Sequence, residues 1–289
     1  MRIGGNAFRS EIAQKVSLRS QQRPTGLITH GLSAIYWRGA FLRGGVILQG
    51  LVCYRDTGEK NGARMLCGVR FDAAYASCGE GMLAALSAKR AAKYLQKHRV
   101  SYAVFPKDYP YAEVFARCGV LPPPEKPLRM AKAAEIIRRA MARLGLAPER
   151  ARIALCAPSQ CAALEAAARE LSKDVRYLAL CAPNGERLAR TLRWDCGASV
   201  HTLQTDERIA ADLSVCFDDF PLPDGLVLPL GSGAVSVAYG TENLGDAAMI
   251  WNEDQLICAL YASLARRADE IWVKDVKMPP NGGENANLP

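Results

Sequence analysis

From about residue 65 onward, short apolar runs alternate with longer amphipathic stretches. Leu66–Phe71 alternates and predicts a strand. Glu80–Lys97 is rich in Ala and Leu and carries Lys89, Arg90, Lys93 and Lys97 toward its end, which suits a helix C-terminus. Val100–Phe105 predicts a strand stopped by Pro106, and Tyr111–Cys118 predicts a short helix ended by Gly119. Together these make a small α/β unit over 65–121. Pro122-Pro123-Pro124 then marks a boundary, because consecutive prolines neither continue a helix nor fill a sheet interior. One long helix is expected over Leu128–Leu144: Ile136, Ile137, Met141 and Leu144 recur at helical spacing, with Arg129, Lys132, Arg138 and Arg139 on the other side.

The most informative stretch comes next. Arg152–Pro158 reads as a strand feeding a helix over Ser159–Leu171, and Arg176–Pro183 as a second strand feeding Asn184–Trp194. The tetrapeptide Leu-Cys-Ala-Pro stands at 155–158 and again at 180–183, a spacing that fits one β-α step of a parallel sheet with a right-handed crossover. Ser159 and Asn184, each one residue past a proline, occupy predicted N-cap positions. Further strands are expected at Ala198–Leu203, Ala211–Phe217 and Leu226–Leu230, and a last helix at Glu253–Arg267. The fold class is therefore α/β: an open, mostly parallel sheet over 122–278 with a C-terminal helix, preceded by the smaller unit at 65–121 and followed by a polar tail at 279–289.

Charge changes the picture only at the N-terminus. The net charge is +8, but residues 1–64 hold ten Lys/Arg against three acids, leaving 27 basic and 26 acidic residues in the rest. Residues 1–64 also show no sustained period, and they read as a disordered or extraneous basic extension. Three origins fit: an upstream extension with the functional chain starting at Met65, an organellar transit peptide, or a basic arm for nucleic acid. The arm ranks last because Phe8, Tyr36, Trp37 and Phe41 do not interleave with the arginines as a stacking platform would. No nucleic-acid partner is expected. No membrane association is expected either, since no apolar run reaches the length of a span.

The ten cysteines form no Cys-x-x-Cys pair, and three of them end the apolar runs Ile153–Cys156, Tyr177–Cys181 and Leu213–Cys216, where a thiol acts as a small buried hydrophobe. Reduced thiols and a cytoplasmic location are the expectation. Metal-ligand spacing is absent, so no metal is expected.

Open parallel sheets bind ligands beyond the carboxyl ends of their strands. The expected ligand-binding candidates are Ser159, Gln160, Asn184, Arg187, Asp218 and Ser232. Lys107 and Asp108, after the Val100–Phe105 strand, are the candidates for a catalytic base and its partner. Element order over 128–267 resembles the NAD(P)-binding Rossmann-like superfamily, and in particular two-domain enzymes laid out like shikimate dehydrogenase. That resemblance implies an NAD(P) cofactor, with the ribose or its 2′-phosphate met after the second strand, where this chain offers Asn184, Glu186 and Arg187. Where the family has Gly-x-Gly-x-x-Gly, the chain has Ala157-Pro158-Ser159-Gln160-Cys161-Ala162. The glycines that let backbone approach a pyrophosphate are missing, so no cofactor is expected in the usual pose. The reading is a degenerate Rossmann-like protein that binds a small anionic ligand or a protein partner and need not be catalytic. Its alternatives are an NAD(P)-dependent oxidoreductase with a divergent turn, and a structural or assembly factor.

Overall fold

A computed structural model describes residues 49–54, 60–159, 161–203, 211–218, 220, 225–232 and 234–278. The chain divides into two units, residues 1–124 with 241–271, and residues 125–240 with 272–289. The first break comes directly after the three prolines.

In the first unit a four-stranded sheet has the order β2-β3-β1-β4, formed by β1 (Gln49–Tyr54), β2 (Gly62–Leu66), β3 (Val69–Ala76) and β4 (Tyr102–Val104). β1 runs parallel to both β3 and β4, and β2 closes an antiparallel hairpin on β3. This corrects the reading of 1–64 as an extension: residues 49–54 supply an inner strand of the sheet, and β2 begins at Gly62. Leu51 and Val52 are buried within it. Residues 1–48 lie outside those described. The single strand expected at Leu66–Phe71 is instead the last residue of β2, a two-residue turn and the first three residues of β3. Cys67 and Gly68 both hold positive φ there, 49° and 80°, the geometry of a two-residue hairpin loop.

Helix α1 (Met82–Lys97) packs Ala84, Ala88, Ala91, Ala92 and Leu95 inward, and a short α2 (Ala112–Ala116) adds Phe115. The remaining cover comes from far along the chain. The helix predicted at Glu253–Arg267, assigned from sequence to the second domain, is α8 (Glu253–Ala262), preceded by α7 (Ala247–Ile250), and both belong to the first unit. Gln49 donates to the Ala259 carbonyl at 2.9 Å, Trp251 Nε1 donates to the Val52 carbonyl at 2.9 Å, and the Phe105 N–H donates to Gln255 Oε1 at 3.0 Å. Sequence order alone could not assign that helix, because its partners lie 150 to 210 residues upstream.

In the second unit the helix expected over Leu128–Leu144 is two helices, α3 (Lys126–Ala131) and α4 (Ala133–Arg143), broken at Lys132. No glycine or proline announces that break. Glu135 is held instead by Lys132 Nζ at 2.6 Å and by the Val273 N–H at 2.7 Å, so tertiary contacts set the register of α4.

Five strands come after these helices: β5 (Arg152–Cys156), β6 (Tyr177–Cys181), β7 (Ser199–Thr202), β8 (Leu213–Cys216) and β9 (Val227–Pro229), with α5 (Ala162–Leu171) after β5 and α6 (Gly185–Cys196) after β6. The sheet order is β7-β6-β5-β8-β9 and every pair is parallel. Counted in chain order this is 3-2-1-4-5, so the unit is Rossmann-like. The repeated Leu-Cys-Ala-Pro is matched in the register: Leu155 pairs with Leu180 and Cys156 with Cys181. Like β1, the strands β10 (Ser236–Thr241) and β11 (Ile271–Lys277) went unread; they form a separate two-stranded ribbon.

The two faces of the parallel sheet differ. On one, α5 and α6 meet Leu180 around Leu164, Gly185 and Leu188. On the other, Ala154, Cys156, Cys181 and Cys216 form a small buried cluster with Phe220, backed by Ala179, Leu203, Ala211 and Val227. That second cluster contains no helical residue among those described.

Candidate functional site

In a parallel sheet all carboxyl ends share one edge, and the register brings together the turns that leave β5, β6, β8 and β9. Ser159, Asn184, Asp218 and Ser232 all lie just beyond it. Their local roles differ from one another.

Ser159 is exposed and does not cap its helix; Cys161 holds that position, with extended φ and ψ of −129° and 112°. Gln160 and Asp219 lie outside the described residues. Asn184 does occupy the N-cap of α6, but in the left-handed region (φ 61°) and without a side-chain capping bond. Its amide therefore stays available at the mouth of a groove of about 590 Å³. Asn184, Glu186, Arg187, Arg190 and Thr202 supply its polar lining, and Ala182, Gly185 and Leu203 the rest. A much smaller recess of about 10 Å³ lies between α5 and α6 and is too tight for a metabolite.

Arg190 escaped the sequence reading. The signal was present, since residues three apart share a helix face. Arg187 and Arg190 together outweigh Glu186 in charge along this lining. The first N–H groups of a helix also lack intrahelical acceptors and carry partial positive charge.

Asp218 and Ser232 serve the far end of the edge differently. Lys126 Nζ pairs with Asp218 Oδ1 at 2.9 Å. The Ser232 hydroxyl donates to the Pro229 carbonyl and accepts from the Ala234 N–H, each at 3.3 Å. The Ser232 carbonyl accepts from Arg129 Nη1, which also reaches the Val235 carbonyl at 3.3 Å. Arg129 is only 4% exposed, and Glu125 lies 3.7 Å from its other terminal nitrogen. A buried guanidinium here clamps the turn after β9, so these two residues organise backbone. Gly231 belongs to the same arrangement. A Cβ there would lie 2.6 Å from Asp218 Cα and 2.9 Å from the Phe217 carbonyl, so only glycine lets the two turns approach.

Lys107 and Asp108 follow β4 in the first unit. The Lys107 N–H donates to the Ile250 carbonyl at 3.1 Å, and Asp108 takes a left-handed φ of 53°. Both side chains are exposed. Beside them Tyr109 is ringed by Tyr54, Phe105, Tyr111 and Phe115 at centroid distances of 5.8 to 6.1 Å. Burial, then the Tyr54 and Tyr111 hydroxyls, push the Tyr109 phenol well above its usual range, so it stays neutral.

Among the described residues, no three or more His, Cys, Asp or Glu side chains are grouped to hold a metal ion, and no helix is long and apolar enough to cross a membrane.

No protein-family profile matches the chain. No curated protein matches it in sequence. Solved structures give weak, Rossmann-like likenesses. L-tryptophan dehydrogenase from Nostoc punctiforme is 12% identical over 52% of this chain and 44% of its own, with a TM-score of 0.25. Quinate dehydrogenase from Corynebacterium glutamicum, solved in complex with NAD, is 12% identical over 59% of this chain and 70% of its own, with a TM-score of 0.24. The dipicolinate synthase A chain from Bacillus subtilis is 13% identical over 50% of this chain and 52% of its own, with a TM-score of 0.28. The chain thus spans less than half of the first of these and about half of the last. The fold assignment stands on strand order and parallel register.

Proposed function

We propose that the second unit binds a small anionic ligand, a phosphorylated or carboxylated metabolite, in the groove at the start of α6. The observation that carries this reading is the groove itself. It has the volume of a metabolite site, lies beyond the carboxyl ends of β6 and β7, and is lined by Arg187, Arg190 and the uncommitted amide of Asn184. Two guanidinium groups on one helix face suit an oxyanion, since each presents a planar fork of donors. The test is a thermal-shift screen of the full chain against phosphomonoesters and dicarboxylates. A ligand at about 100 times its dissociation constant adds about 2.7 kcal/mol, enough to move the midpoint. Binding by the native chain and its loss in the Arg187→Ala/Arg190→Ala variant are the expected results. A panel without effect, or binding unchanged in the double variant, overturns the reading.

A second reading, an NADP-dependent oxidoreductase, rests on the same two arginines, which stand where a Rossmann-like unit meets a ribose 2′-phosphate. It differs in the first turn, where Ala157-Pro158-Ser159 replaces the glycines that seat a pyrophosphate. Adenosine 2′-monophosphate and NADP separate the two. If NADP binds far more tightly than the monophosphate fragment, the pyrophosphate is being held and the second reading prevails.

A further inference from the structure

Helix α1 carries a face that neither its own sheet nor the groove of the second unit uses. Its inner side is the alanine stripe with Leu95. Its outer side is exposed and holds Met82, Leu83 and Leu86 at the start, then Lys89, Arg90, Lys93 and Lys97. These residues recur three, four and seven positions apart, so they form one stripe, apolar at its N-terminal end and cationic along the rest.

Both parts of the stripe are unfavourable in water. Met82 is 79% exposed, Leu83 81% and Leu86 45%, so no groove wall stands beside the first two. Lys89, Lys93 and Lys97 are spaced four apart, where like charges repel along a helix, and α1 contains no acid to offset them. Around it, Glu80 precedes the first turn, Asp72 acts on the half-buried Tyr94, and Glu113 of α2 pairs with Arg117 at 4.0 Å. The helix dipole accounts for Lys97 in the last turn, but its pull fades within that turn and leaves Lys89, Arg90 and Lys93 unexplained.

One kind of surface relieves both costs. An anionic bilayer offers phosphate oxygens to the cations and an acyl boundary to the apolar side chains. Nucleic acid would match the cations alone and leave Met82, Leu83 and Leu86 in water. A peptide gains by lying in a groove, whereas an ungrooved ridge suits a broad, deformable surface. The expectation of no membrane association rested on the lack of a span, and a helix seated on a surface needs none. We propose that the outward face of α1 seats the first unit on an anionic lipid surface. Met82, Leu83 and Leu86 enter the headgroup boundary, and Lys89, Arg90, Lys93 and Lys97 lie against lipid phosphates. The N-terminal end of the helix dips deepest, and the alanine face stays on the sheet, so binding requires no unfolding.

The experiment is co-sedimentation of the full chain with vesicles of phosphatidylcholine alone and of phosphatidylcholine mixed with phosphatidylglycerol, over a range of salt. The expected result is binding to the mixed vesicles that weakens as salt rises, with little to phosphatidylcholine alone. Lys89→Gln/Arg90→Gln/Lys93→Gln/Lys97→Gln, which keeps good helix formers on an exposed face, weakens that binding by about 100-fold. Leu83→Trp, with the charges intact, adds an emission that shifts to the blue on binding, read as the difference from the native chain. The basic residues before β1 are present in every variant, so binding unchanged in the quadruple variant belongs to them and overturns the proposal. So does an unshifted Leu83→Trp emission, equal binding to both kinds of vesicle, or no binding at all. A chain that ignores vesicles but is retained on poly-glutamate also overturns it, and assigns the face to an acidic protein instead.

Discussion

Arg152 and Asp212 close a ring of hydrogen bonds at the amino ends of β5 and β8. The Arg152 N–H donates to Asp212 Oδ2 at 2.8 Å, its guanidinium reaches Oδ1 at 3.2 Å, and the Asp212 N–H returns to the Arg152 carbonyl at 2.8 Å. The backbone bond first, then the side-chain bond, hold the Asp212 carboxyl below its usual value. A depressed carboxylate contributes stability above its unfolded value, about 3.9, and that contribution is lost as pH falls through the lower folded value. Asp212→Asn should therefore lower the urea midpoint at pH 7 and shrink the fall in midpoint between pH 7 and pH 3. An unchanged fall would show that the ring does not link folding to pH. At this scale sequence reading goes as far as local chemistry allows. Asn184 and Arg187 follow a legible strand and do line the groove. Asp218 and Ser232 lie beyond their strands in the same way, yet Lys126 and Arg129 engage them from about 90 to 100 residues upstream, and no local pattern encodes that.

Elements are legible where one period rules them. β5 and β6 carry the same tetrapeptide, and their parallel register reproduces it residue for residue. β1 is hidden because Gln49–Tyr54 sits at the end of a segment dominated by arginine and glycine, where composition outweighs six residues of strand. The β10–β11 ribbon is missed because its halves lie about 30 residues apart, with two helices between them. The turns after β8 and β9 also behave as one element, since each is shaped by the other at Gly231. Gly231→Ala would press a methyl group against Asp218 and the Phe217 carbonyl. Overpacking of this kind costs about 1–3 kcal/mol, so the variant should unfold at correspondingly lower urea with the far-UV spectrum of its native state retained. A midpoint within error of the native chain would mean that the two turns separate freely.

For the whole molecule, the consequence of β1 is that residue 65 is no domain boundary. A chain started at Met65 would lack the strand between β3 and β4 and would begin inside β2. Two parallel edges would face an empty slot, and open edges recruit other chains. Such a chain is expected to aggregate where the full one stays monodisperse; a folded Met65 product of native thermal midpoint, read by light scattering and circular dichroism, would refute this. Sequence alone makes that truncation look harmless, because charge dominates the segment in which the fold needs Leu51 and Val52.

The bond from Gln49 to Ala259 has a temporal meaning as well, since it joins residues 210 positions apart. During synthesis β1 emerges 210 residues ahead of the carbonyl it bonds in the helix that covers it. All five strands of the parallel sheet leave the ribosome in the interval. That sheet can close from contiguous chain alone, while the older strands wait for their lid and for the entropy of a very long loop to be overcome. The sheet that begins first is thus covered only after the parallel sheet is complete, and the period in between is when a holding chaperone has most to offer this protein.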